Sequence, residues 1–224
     1  REQIVIDRSQ GYIGVLIDDL VTKDNHEPYR MMTSRSEYRL LLRQDHADQR
    51  LTPVGYQVGL ISKERYQKLQ TKVHLIDEEK QRLEETMVGA SPKIQAFLES
   101  HESSTLKTAA SLAEILRRPE MKYEYLKEID EEYPDLPYEV TEQVEIDIKY
   151  DGYIKRQLKQ VEQFKKLEEK RIPDDIDYDQ INSLRIEAVQ KLKLCKPISI
   201  GQASRISGVS PADISVLLVY LEQR

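Results

Sequence analysis

Apolar positions recur along most of this chain at intervals of three and four, the spacing that lays a stripe down one side of an α-helix. Between Glu139 and Lys170 the residues Val140, Val144, Ile148, Ile154, Leu158, Val161 and Leu167 form a nearly continuous stripe. That predicts one long helix, closed by Arg171-Ile-Pro173. A second is predicted from Ser62 through Tyr66, Leu69, Val73, Ile76 and Leu83, ending near Gly89. Val15, Leu16 and Leu20 place a shorter helix near the start, before a turn over Lys23 to Pro28. Thr52-Pro53 and Ser91-Pro92 each set a capping hydroxyl before a proline that needs no amide partner, so a helix should begin at each. The first should run to about Gln57 and stop at Gly59, the second to Leu98, with a loop from Glu99 to Thr105. Compact helices are expected over Thr108 to Leu116, Tyr123 to Ile129 and Ser183 to Leu194. The tail from Ser199 to Arg224 reads as two short helices around Gly208, with Ser210 capping the second. Over Tyr38 to Leu42 a strand competes with a helix capped by Ser34 and Glu37.

The expected fold is therefore all-α: a multi-helix domain ending in a short helical hairpin, with room for one short strand near the N-terminus. Three segments are expected: a junction at 1–50, a helical body at 51–196 and a two-helix tail at 197–224.

Composition supports this. Charged residues make up 33% of the chain, glycine numbers only 8, and tryptophan is absent. The abundant Lys, Glu, Gln, Leu and Arg lose little rotamer freedom in a helix. Thirteen tyrosines against 2 phenylalanines place many rings at wet edges and interfaces, where the hydroxyl keeps a partner. The chain opens on Arg1 with no charged-then-apolar leader, which reads as a piece cut from a longer open reading frame. No run of about eighteen apolar residues is present, so no membrane-spanning helix is expected. The single cysteine, Cys195, fits a reducing cytoplasm and reads as a small buried hydrophobe.

Charge changes the picture more. The net charge of −6 is spread unevenly: residues 120–149 carry eleven acids against three bases, while residues 153–171 carry seven bases against three acids. A phosphate backbone responds to the field within roughly 8 Å at physiological salt, so overall acidity does not exclude RNA. Arg35, Arg39 and Arg43 are spaced by four, which puts them on one face of a helix and equally on one face of a strand. Arg30 and Arg50 flank them, and Tyr29 and Tyr38 lie among them. Guanidinium forks suit phosphates, and tyrosines stack on unpaired bases. The competing account is a row of arginines paired with Glu37, Asp45 and Asp48, or with acids elsewhere in the chain. Lys155, Arg156, Lys159, Lys165 and Lys166 form a second basic face, with Glu162 and Glu169 as ordinary helix partners. The tail has the outline of a helix-turn-helix DNA reader, but its second helix is nearly bare of donors, with only Asp213 and Ser215 among Ile214, Val216, Leu217, Leu218, Val219 and Leu221. A helix apolar on most sides suits protein contact instead.

Catalytic signatures are missing. No glycine-rich phosphate loop appears, and His26, His46, His74 and His101 share no ligand spacing with one another or with Cys195. The pair Asp18-Asp19 reads as a helix-end or turn pair. No catalysis is expected from this chain alone.

Three separated blocks resemble one family in that family's order. Glu27-Pro-Tyr-Arg-Met-Met-Thr-Ser-Arg-Ser-Glu-Tyr-Arg-Leu-Leu-Leu-Arg43, preceded by Tyr12-Ile-Gly-Val-Leu-Ile-Asp-Asp-Leu20, is similar to the C-terminal part of the glucose-inhibited division protein A family (GidA, also MnmG). So are Tyr150-Asp-Gly-Tyr-Ile-Lys-Arg-Gln157 with its continuation Arg171-Ile-Pro173, and the tail from Ile200 to Leu221. Met32 stands where phenylalanine is usual, Ser36 for alanine, and Gln44-Asp-His46 for a more acidic form. The resemblance implies a FAD- and NADH-dependent parent that modifies C5 of the tRNA wobble uridine, with methylene-tetrahydrofolate as carbon donor and ammonium or glycine as the amine. It implies tRNA, a GTPase of the MnmE family and a second copy of the parent as partners, and no cofactor within this chain. The family's basic motif falls on Arg30, Arg35, Arg39 and Arg43, with Arg50, Lys155, Arg156 and Lys159 as further tRNA candidates. Its partner-contacting helices fall on Ile200, Ile206, Val209, Ile214, Leu217, Leu218 and Leu221.

Overall fold

The structure, a computed structural model, describes residues 4–23 and 27–223. It is helical apart from one antiparallel pair of two-residue strands, and it divides into two compact units, residues 43–155 and residues 1–42 with 156–224. These cuts differ from the expected boundaries at 50 and 196.

The first unit contains α2 (Ala47–Gln57), α3 (Lys63–Glu85), β1 (Met87–Val88), α4 (Pro92–Ser100), β2 (Ala110–Ser111) and α5 (Leu112–Leu116). A 3-10 turn over Tyr123–Glu128 and the first part of α6 (Tyr138–Glu169) complete it. Ser62 and Ser91 cap α3 and α4 as the sequence predicts, accepting from the amides of Arg65 and Ile94. Ser111 and Glu114 close a reciprocal capping box on α5. Leu83, Leu98, Leu112, Ile115, Leu116, Leu126 and Val144 are fully enclosed in one apolar core.

Several local expectations fail: the helix expected over Thr108 to Leu116 is β2 followed by the five-residue α5, and Tyr123 to Ile129 is a 3-10 turn. Thr52-Pro53 does not start a helix; α2 begins five residues earlier, with Pro53 inside it. An interior proline forfeits a backbone bond at a cost of about 3 kcal/mol. Tertiary ties hold the first turn regardless, with Lys72 on Asp48 at 2.9 Å and the Arg50 guanidinium donating to the Arg43 carbonyl at 2.9 Å. Over 38–42 neither the helix capped by Ser34 and Glu37 nor the competing strand forms, and turns replace both. The actual strands are too short to show an alternation. Gly59 does end α2, at φ +79°, a left-handed conformation that favours glycine.

The other unit holds α1 (Tyr12–Thr22), the rest of α6, α7 (Ile186–Cys195), α8 (Ile200–Arg205) and α9 (Pro211–Gln223). The turn expected at Lys23 to Pro28 falls largely on 24–26, outside the described residues. Ile172, Tyr178, Leu192, Ile200, Ile206 and Leu217 form its core. The end of α6 is bridged to the start of α8, the Ile172 amide donating to the Ile198 carbonyl at 3.0 Å and the Ile200 amide to the Lys170 carbonyl at 2.9 Å. Gly14 sits so close to the segment before α1 that an added Cβ would overlap the Ile6 and Asp7 carbonyls.

The stripe predicted along α6 is real at both ends, where Val140, Val144, Ile148 and Val161 are buried. It lapses between them: Leu158 is 52% exposed, in the stretch where the chain passes from one unit to the other. Cys195 is exposed rather than buried; it is the last residue of α7. Among the described residues no helix is long and apolar enough to cross a membrane.

Candidate nucleic-acid interface

The arginine series is not a stripe. Thr33–Arg35 forms a short 3-10 turn, residues 38–46 run through turns, and the unit boundary falls between Leu42 and Arg43. The series therefore contributes separately to each unit.

In the unit with α1, a buried cation missing from the sequence-derived candidates organises the arginines. Arg8 is 2% exposed. Its guanidinium donates to Asp19 at 2.7 Å, Asp18 at 3.0 Å and Glu37 at 2.8 Å, and to the Arg35 carbonyl at 3.3 Å. Burial opposes its charge, but the bonds to Glu37 and Asp19 outweigh that and hold its pKa above the ordinary arginine value. Asp19 is fully buried and is a hub: Tyr29 donates its hydroxyl at 2.8 Å, Lys23 pairs at 2.8 Å and Arg35 approaches to 4.0 Å. Burial disfavours its carboxylate, yet the bonds from Lys23, Arg8 and Tyr29 prevail and lower its pKa.

The hub fixes what lies above it. The Arg35 guanidinium sits 4.2 Å from the Tyr29 ring centre and is partly open, while Arg30 and Arg39 are exposed. Arg205 plays a similar part from α8. It forks onto both Asp18 oxygens at 2.7 Å, pairs with Glu168 and lies 4.9 Å above the Phe164 ring. Asp18-Asp19 is thus the socket for two arginines in the second half of α1. Of the two arginines only the socket had a sequence signal. On the α6 portion of this unit, Arg156 and Lys159 are exposed, and Lys166 pairs with Glu162 at 3.0 Å.

The other unit holds Arg43, Arg50 and Lys155. Arg43 pairs with Asp45 at 3.2 Å, and Lys155 pairs with Asp151 at 2.9 Å. The competing account, arginines paired with acids, therefore describes Arg43 with Asp45 and Arg35 with Asp19, and does not describe Arg30 or Arg39. His46 lies here with its pKa below the ordinary histidine value, because burial disfavours the imidazolium and Arg43 and Arg50 then repel it. A base with a depressed folded pKa takes up its proton more readily when unfolded. Stability is then full above about pH 6.5, falls as the pH drops, and levels off below the folded pKa. Urea titrations at several pH values between about 8 and 5 should show that slope, and His46→Gln should flatten it.

The tail places its candidates on two sides of a surface. Ile200 and Leu217 are 0% exposed, Ile206 3% and Ile214 8%, which makes these four core residues rather than contact residues. Val209, Leu218 and Leu221 are half-buried, and Val219 is 54% exposed. Asp213 is 2% exposed and locks the start of α9, accepting from Ser210 at 2.7 Å and from Arg185 at 2.6 Å. That is a side-chain latch, and it engages one of the few polar side chains on α9. Among the described residues no group of three His, Cys, Asp or Glu is placed to hold a metal ion.

Comparison with known proteins fits the helical architecture just described. Residues 63–158 match the family described as tRNA modifying enzyme MnmG/GidA C-terminal helical domain, and residues 160–224 match the MnmG/GidA C-terminal helical bundle. Those matches define the class: the C-terminal helical region of a tRNA-modifying enzyme. The chain belongs to the MnmG/GidA family. It is 65% identical over 223 residues to the tRNA uridine 5-carboxymethylaminomethyl modification enzyme MnmG of Lachnoclostridium phytofermentans, covering 100% of this chain and 36% of the relative. The MnmG of Geobacillus kaustophilus is 57% identical over the same shares. Among solved structures, Aquifex aeolicus GidA in its form II crystal aligns with a TM-score of 0.77 and 42% identity, over 99% of this chain and 34% of that one. The chain therefore spans about a third of the length of these relatives.

Proposed function

We propose that this chain is the tRNA-binding and partner-docking region of an enzyme that modifies C5 of the tRNA wobble uridine together with a GTPase of the MnmE family. The observation that carries the RNA part is the Arg30, Arg35 and Arg39 group. Arg30 and Arg39 are exposed, and Arg35 lies over the Tyr29 ring with its backbone carbonyl accepting from the buried Arg8. Preorganised forks beside a ring suit phosphates and unpaired bases. Arg156 and Lys159 add positive charge to the same unit, and Arg43, Arg50 and Lys155 add it to the other.

Docking is assigned to the outward side of α9, where Val219 is exposed, while half-buried Leu218 and Leu221 pack in part against the core. FAD and NADH are assigned to the remainder of the parent, which also forms a homodimer. The chain's part is to bind and orient, not to react.

The test is a fluorescence-anisotropy titration against whole tRNA and a DNA duplex of equal length, at two salt concentrations. Arg30→Ala/Arg39→Ala should weaken tRNA binding about tenfold or more and lower the salt slope by roughly 0.7–0.9 per lost phosphate contact. Both residues are exposed, so the melting temperature should stay within a degree or so of the parent. Unchanged affinity would favour a second reading, a docking domain without RNA contact, which the eleven acids in residues 120–149 support.

A further inference from the structure

That acidic segment folds into a feature the RNA reading leaves unused. In the unit formed by residues 43–155, the turn before α6 and the first two turns of α6 enclose an open cleft of about 420 Å³. Tyr123, Tyr133 and Tyr138 supply its rings, and Glu124, Glu142 and Glu145 its carboxylates. The Tyr123 and Tyr133 ring centres lie 5.4 Å apart at 49°, so the two present angled faces.

The rings are held in different ways. Tyr123 is 3% exposed and fixed at both ends, its hydroxyl donating to Glu79 at 2.8 Å and its amide donating to Glu145 at 2.8 Å. Glu79 is itself gripped by Arg82, which also pairs with Asp130 at 2.7 Å. Tyr138 is the opposite case: 76% exposed, with only its hydroxyl tied, donating to Glu142 at 3.0 Å. An exposed ring lining the same cleft as a rigid one is a surface awaiting a partner.

Charge decides which partner. The nearby bases are already committed. Lys149 pairs with Glu145 at 3.1 Å, and Lys122 leans over the Tyr125 ring, 3.6 Å from Glu124. Glu142 is exposed, and its hydrogen bond comes from a neutral phenol. The N-terminus of α6 would by itself favour an anion, but Glu139, Glu142 and Glu145 in its first turns reverse that sign. Tyrosine faces attract cations through their quadrupole, and a carboxylate at the rim adds a charge-assisted bond. RNA is repelled by the same field. We propose that this cleft docks a basic protein segment, taking an arginine or lysine side chain between Tyr138 and Tyr133 with Glu142 as its counter-charge. This site is separate from the arginine group and does not depend on the tRNA reading.

The experiment is isothermal titration of the whole chain with a peptide of alternating arginine and glycine, with the matching glutamate peptide and free arginine as further arms. The arginine peptide should bind, the glutamate peptide should not, and free arginine should bind far more weakly. Tyr138→Ala and Glu142→Gln, both at exposed positions, should each weaken the peptide about fivefold while leaving tRNA affinity unchanged. The control is Glu131→Gln/Glu132→Gln, which removes more charge from exposed positions outside the cleft and should change affinity less than twofold. Equal loss in the control and the cleft variants means diffuse attraction and overturns the proposal, as does a peptide that fails to bind. Free arginine binding as tightly as the peptide also overturns it, because the site would then be one for a small molecule.

Discussion

Replacing Arg8 by leucine should lower the chain's stability by about 3 kcal/mol or more, measured as a fall in the urea midpoint at neutral pH. The side chain is 2% exposed, and its charge holds three carboxylates together. Their losses are unequal. Glu37 is half open to water and Asp18 keeps the Arg205 fork, so neither is stranded. Asp19 is fully enclosed and would lose its guanidinium partner at 2.7 Å, keeping Lys23, the Tyr29 hydroxyl and a distant Arg35 among its contacts. Most of the cost is therefore one carboxylate buried with too little compensation.

Its pH dependence identifies the source. In the native chain Asp19 has a lowered pKa, because hydrogen bonds outweigh the burial that opposes them. That stability is present above the ordinary aspartate pKa and is lost as the pH falls through the folded one. Without Arg8 the burial penalty has less to oppose it, and Asp19 protonates at higher pH. The gap between the leucine variant and the parent should therefore narrow as the pH drops below about 5. Arg8→Lys should fall between them, since an ammonium keeps the charge but cannot fork to Asp19 and Glu37 together. A leucine variant as stable as its parent at neutral pH would sink the hub as the element that positions Arg35.

How legible all this was depended on how local the deciding interaction is. Ser62, Ser91 and Ser210 announce their helices within three residues, and the structure has each bond. Thr52-Pro53 carries the same signal and misleads, because Lys72 reaching Asp48 from 24 residues away outweighs it. Arg8 and Arg205 are invisible to spacing arguments. Their carboxylates are up to 29 and 187 residues distant, and only the folded chain brings Glu37 to Arg8 and α8 to Asp18. The arginine series was found for a reason that did not survive: even spacing means nothing in a segment of turns. The residue types were still informative, since a guanidinium beside a tyrosine offers the same chemistry on any backbone. In the tail, apolar character was legible but its direction was not. Nearly every position of α9 is apolar, so period alone cannot separate the core side from the outer side.

Two aspartates placed two residues apart on α9 make that separation measurable. Leu217→Asp should abolish the folded tail, with a loss of at least about 4 kcal/mol, because Leu217 is 0% exposed among Leu192, Ile200 and Ile206 and no cation is there to pair with it. Helical signal should fall, and the unit that carries Arg30 and Arg39 should lose tRNA affinity with it. Val219→Asp puts the same charge at a 54% exposed position, where the change in stability should stay within about 0.5 kcal/mol. If the outer side of α9 is the docking face, that variant should keep its tRNA affinity and lose GTPase-partner affinity by about tenfold. Val219→Asp binding the partner as well as the parent does would move docking away from α9. Leu217→Asp folding normally would contradict the packing of the tail itself. The first outcome corrects a function, the second a structure, and a single circular-dichroism melt beside each binding assay tells them apart.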